Sequence, residues 1–128
     1  MKKVCLTLLL GAFVVSLTAG SASALPPFAK EWTAKYVEGN TNKEFVEAAG
    51  TAKCNVCHEG NNKKMKNEYG KAAGMFLTKA GHAAAKAEGP DAEKKYIVEG
   101  LEKAAGEKAA SGKTFGEIIK SGKLPAGG

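Results

Sequence analysis

The residues whose types and spacing could do chemistry lie together in Cys54-Asn55-Val56-Cys57-His58. On a turn of helix, positions i, i+3 and i+4 share one face, so both thiols and the imidazole can point the same way. Thiols so placed can add across the two vinyl groups of one porphyrin edge. An imidazole directly after the second thiol is then left beneath the ring, within reach of the iron as its proximal ligand. Two other chemistries use the same residues. Cys54 and Cys57 could form a redox-active dithiol. They could also hold zinc together with His58 and a fourth ligand, for which His82 is the remaining histidine.

The pentapeptide resembles the haem-attachment signature of the c-type cytochromes. That resemblance implies a covalent haem c, carried by Cys54 and Cys57 and ligated by His58, in a protein that transfers single electrons and is not an enzyme. A short helix leading into the motif, here expected from about Thr41 to Gly50, is similar to the first helix of class I cytochromes c.

The second axial ligand of such an iron decides its behaviour. A methionine raises the potential, a second histidine lowers it, and an open position admits a small molecule. Met65, Met75 and His82 follow His58 by 7, 17 and 24 residues. All three stand nearer the motif than the methionine ligand of class I cytochromes. A five-coordinate haem that binds or senses a small gas is therefore the alternative to an electron carrier. The dithiol oxidoreductase is the less favoured reading, because such enzymes set the cysteine pair between a strand and a helix and no strand pattern appears. Zinc is weakened because His58, immediately after Cys57, strains a tetrahedral set.

The elements around the motif are helical by pattern. Phe28, Trp32 and Tyr36 fall at i, i+4 and i+8, an aromatic stripe serving as core or as a lid over a porphyrin. Thr41 to Glu44 fits a capping box for a helix using Phe45, Val46 and Ala49. A third helix is expected from Asn67 to Lys79, burying Tyr69, Ala72, Ala73, Phe76 and Leu77 and closed by Gly81 as a left-handed cap. Gly70 and Gly74 inside it suggest that something presses on that face. His82 to Gly89 is an alanine-rich connector, helix or loop. Pro90 opens a fourth helix reaching Ala110, with Tyr96, Ile97, Leu101 and Ala104 inward. Thr114 and Glu117 form a second capping box, and the chain from Leu124 to Gly128 is expected to fray. The fold class expected is all-α: four to five short helices wrapped around one haem.

Residues 1–24 have the marks of a cleaved secretory signal. Lys2 and Lys3 precede an apolar run from Val4 to Leu17, and Ala22-Ser23-Ala24 supplies small residues for cleavage. Residues 25–128 then form one domain in a periplasmic or otherwise exported protein, with no stable membrane insertion. Cys5 leaves with the signal, and Cys54 and Cys57 are the two cysteines that stay. A disulfide between them would close too small a loop to staple a domain. The mature chain carries 17 lysines against 13 acidic residues and no arginine. That surface suits a soluble, monomeric domain, or weak docking to redox partners with acidic faces. Nucleic acid is a poor partner for it, since the lysines are interspersed with glutamates and no arginine can read base edges.

Overall fold

A computed structural model describes residues 27–126, which form six α-helices: α1 (Pro27–Tyr36), α2 (Lys43–Ala52), α3 (Glu68–Phe76), α4 (Lys79–Glu88), α5 (Pro90–Gly106) and α6 (Phe115–Lys120). The expected leader and its cleavage site lie outside the described residues. A 3-10 turn, Lys53–Val56, continues α2 into the motif. No strand occurs among the described residues, only two isolated antiparallel bridges, His58 with Lys66 and Lys108 with Thr114. The all-α expectation holds, with more helices than the four to five read from pattern.

The longest helix, α5, is the hub, packing against α1, α3, α4 and α6. It starts on Pro90, whose missing N–H costs nothing in the first turn, where Asp91 and Glu93 complement the helix dipole. Ile97, Leu101 and Ala104 form its buried stripe and meet Trp32, Phe45, Tyr69, Phe115 and Ile119 in one core. Aromatic edges lock the centre: Tyr69 packs on Phe115 at 5.2 Å between ring centroids, and Trp32 lies 6.2 Å from Phe45. The Trp32 indole N–H donates to the Tyr69 hydroxyl at 3.1 Å, so that N–H is not left unpaired inside.

Several boundaries differ from the sequence pattern, each for a local reason. Asn42 rather than Thr41 caps α2, its side-chain oxygen accepting from the Phe45 N–H at 3.1 Å. That helix runs through Gly50 to Ala52. The third helix ends at Phe76, and Gly81 is no cap: it lies inside α4, whose N-cap is Thr78. The glycine is needed there for space, because a Cβ would collide with the Tyr96 phenol packed on it from α5. Tyr96 in turn fastens the α3–α4 junction, its hydroxyl donating to the Phe76 carbonyl at 2.9 Å and accepting from the Thr78 N–H at 2.9 Å. The alanine-rich connector is thus a full helix, although none of its residues is buried. The C-terminal tail is not frayed as far as Ala126: Pro125 is buried, and Leu124 and Ala126 pack against the core.

The second capping box forms as expected. The Glu117 N–H donates to the Thr114 hydroxyl at 3.2 Å, and the Glu117 carboxylate accepts from the Thr114 N–H at 2.7 Å. These hydrogen bonds hold the Glu117 carboxyl below its ordinary range. A depressed carboxylate stabilises the fold at neutral pH and ceases to as pH falls through its folded-state pKa. Thr114→Ala should lower stability by about 1 kcal/mol, read as a fall in the thermal midpoint at neutral pH that shrinks in acid.

Candidate functional site

The motif occupies a single tight turn. The Cys54 carbonyl accepts from both the Cys57 N–H at 3.2 Å and the His58 N–H at 3.0 Å. The backbone is 3-10 from Lys53 to Val56 and Cys57 stays in the helical region, so the motif is a single helical turn that ends at His58. The turn is entered through Lys53, the one non-glycine residue with positive φ (47°) among the described residues. Such a conformation costs a lysine on the order of 1–3 kcal/mol, which the surrounding packing must offset.

What holds the turn is Asn67, which sequence reasoning placed only as the start of a helix. It is 6% exposed and uses all of its polar side chain. Its oxygen caps α3 by accepting from the Gly70 N–H at 2.8 Å, and its amide donates to the Asn55 and Val56 carbonyls, each at 3.0 Å. Its backbone N–H donates to the Cys57 carbonyl at 3.0 Å. Gly70 completes the joint: a Cβ there would run into that same carbonyl, so only glycine lets α3 lie against the motif. The pressure inferred on the Gly70–Gly74 face therefore comes partly from motif backbone. At Gly74 the neighbour is the Lys66 ammonium, 2.7 Å from where a Cβ would stand.

His58 is oriented by the loop that follows it. Its Nδ1 lies 3.3 Å from the Met65 carbonyl, and since a carbonyl only accepts, Nδ1 is the donor in this contact, which in a neutral ring leaves the Nε2 lone pair available. This is the support that metal-ligating histidines usually have. The Met65 carbonyl also accepts from the Glu59 N–H at 3.0 Å, and the Met65 N–H donates to the Asn62 carbonyl at 3.0 Å.

Cys54, Cys57 and His58 all border one cavity of about 640 Å³, within the range of small-molecule and cofactor sites. Its buried walls are apolar, with Trp32, Val56, Ala73, Leu77 and Leu101 among them. Gly70 and Gly74 border it along one side. Trp32 is thus both core residue and wall. The exposed lysines Lys30, Lys53, Lys63 and Lys66 also line the cavity, with Glu38 the one acid. Cys54, Cys57 and His58 are the residues that would hold a porphyrin here, and the apolar walls suit a flat, largely apolar group.

The three candidate second ligands do not join this group. Neither Met65, Met75 nor His82 borders the cavity. Met65 and Met75 are 53% and 59% exposed. His82 lies on α4 with Nε2 2.6 Å from Glu93, its ring edge against Phe28 at 5.0 Å between centroids. His82 is equally unavailable as a fourth zinc ligand, and no cluster of three or more metal-ligating side chains occurs among the described residues. Both cysteines are free thiols. Burial, and then the neighbouring Cys54, pushes the Cys57 thiol up to about 11, against a smaller downward pull from Lys66. A redox-active dithiol needs the opposite shift.

Asn67→Ala should cost about 2–3 kcal/mol, since it removes a cap and strands two carbonyls. Asn67→Asp keeps the cap acceptor but loses both donors, and should also lower the thermal midpoint. In the chain made without haem, Cys57 should alkylate roughly tenfold more slowly than an ordinary thiol near pH 8: its thiolate fraction falls about a hundredfold, partly offset by greater nucleophilicity. Its rate should keep rising until the pH reaches about 11; mass-resolved alkylation at each cysteine checks this.

In comparisons with known proteins, no family model, curated protein or solved structure matches the chain.

Proposed function

We propose that this protein is an exported carrier of single electrons bearing one covalently attached haem c. The observation that carries the reading is that Cys54, Cys57 and His58 border the same apolar cavity, with Nε2 of His58 left free by the Met65 carbonyl. Each thiol S–H adds across one vinyl group, so attachment expels no leaving group. When bound, the haem supplies an iron that cycles between two oxidation states.

The chain's own residues do the rest. Cys54 and Cys57 fix the ring, and His58 ligates the iron from a position set by Met65. Trp32 and the aliphatic walls give the site an apolar lining. A low-dielectric shell favours the iron state of lower net charge and shapes the potential. Lys30, Lys53, Lys63 and Lys66 place positive charge beside the cavity, where it would steer a partner with an acidic face and lose effect in salt.

Expression with an export signal and a haem-attachment system tests this. The purified chain should be coloured, heavier than the polypeptide by one haem, and reversibly reducible by a single electron. Cys54→Ser with Cys57→Ser should abolish the covalent mass increase. A colourless product at polypeptide mass from the unaltered chain would refute the proposal.

A further inference from the structure

We infer that Lys66 is a positioning residue for electron carriage: its ammonium, seated on Gly74, is a fixed positive charge beside the cavity that makes the site easier to reduce. This rests on the haem reading above and deepens it by naming a residue that tunes the potential.

The first support is the glycine. Gly74 lies inside α3, where glycine is disfavoured against alanine because it has more backbone freedom to lose. At Gly70, on the same helix, a Cβ would strike the Cys57 carbonyl, so packing demands glycine there. Gly74 has no such obstacle. The three nearest atoms that a Cβ would meet all belong to Lys66: Nζ at 2.7 Å, Cε at 3.8 Å and Cδ at 3.9 Å. A bare helix position is thus given over to the end of one lysine side chain. No other glycine among the described residues has a lysine as the closest group to its missing side chain.

The second support is how firmly that lysine is placed. Its backbone bridges to His58. The Met65 carbonyl before it accepts from the Glu59 N–H at 3.0 Å, and the Asn67 N–H after it donates to the Cys57 carbonyl at 3.0 Å. Its charge is also unpaired, since the ion pairs among the described residues are Lys35 with Glu102, His82 with Glu93 and Lys95 with Glu99. Lys66 and Gly74 both border the cavity that Cys54, Cys57 and His58 share. When bound, haem iron carries one more positive charge oxidised than reduced. A cation held beside the cavity opposes the oxidised state, and apolar walls make that opposition stronger than it would be in water. The ammonium is itself exposed, so salt screens part of the effect.

The test is the one-electron reduction equilibrium of the full haem-loaded protein, followed by optical titration at low ionic strength. Lys66→Met should lower the reduction constant by about three- to tenfold, tenfold being ~59 mV for one electron. Lys66→Arg, which keeps the charge, should hold it within about twofold. Lys30→Met removes an equal charge elsewhere on the cavity lining and should lower the constant by less. Gly74→Ala puts a Cβ where the ammonium rests. It should raise the thermal midpoint, because alanine favours the helix, yet lower the reduction constant, and it should add nothing further in combination with Lys66→Met. An unchanged constant in Lys66→Met or Gly74→Ala, an equal fall in Lys30→Met, or an effect of Gly74→Ala that persists without Lys66 would each overturn the inference and leave the haem reading intact. Colourless protein would remove the haem reading and this inference together.

Discussion

The site depends on one side chain, the carboxamide of Asn67. It stands where the motif turn meets the start of α3, and it meets needs of both at once. The helix start has an orphan N–H at Gly70, and the turn has exposed carbonyls at Asn55 and Val56. A buried amide with one acceptor and two donors answers all three. Few residue types could: a serine caps but cannot reach two carbonyls, and an aspartate has no donors. The backbone of the same residue bonds the Cys57 carbonyl, so the position of both cysteines is tied directly to the helix that forms one cavity wall.

From that joint the rest of the domain follows. Gly70 lets α3 approach the Cys57 carbonyl, and Tyr69, one residue earlier, runs into the core, where it meets Trp32 of α1 and Phe115 of α6. One helix thus carries the motif on one side and the core on the other. The cavity lies between them, walled by α1, α3 and α5 and floored by the motif. A domain of about a hundred residues has a small core, and this one spends much of its apolar surface on lining that space. A tethered apolar ring would convert the walls into packed interior, which is how a chain this short could be stable and still expose three reactive side chains to a ligand.

How much of this was legible in the sequence depends on the range of the signal. The motif is local, and its three residues border one cavity as their spacing implies. The helices with strong apolar periodicity, α1, α3 and α5, start where the pattern puts them, as does the Thr114–Glu117 box, but α3 stops at Phe76 and α5 at Gly106, short of the expected Lys79 and Ala110. Failures arise where two local signals compete or where the cause is distant. Asn42 and Thr41 are both good caps, and only the observed geometry chooses between them. Gly81 has the appearance of a helix terminator, yet its role is room for Tyr96, fifteen residues away and on another helix. The alanine-rich α4 lacks an apolar stripe because it packs through small residues and the Tyr96 and His82–Glu93 contacts. Asn67 could have been noticed as an asparagine with a glycine three residues on, a capping pattern. Its second task on the motif carbonyls leaves no trace in composition.

The loop from Glu59 to Lys66 shows how backbone contacts, and not spacing alone, set where a side chain stands. By distance along the chain Met65 is the nearest sulfur donor to His58. The antiparallel bridge between His58 and Lys66 folds the loop back beside the motif and commits the Met65 backbone to the histidine ring. Partners directly across such a bridge carry their side chains on the same face. Lys66 therefore extends along His58's side of the motif, consistent with its ammonium resting on Gly74. The turn that orients the His58 ring is thus built from the same segment that carries Met65.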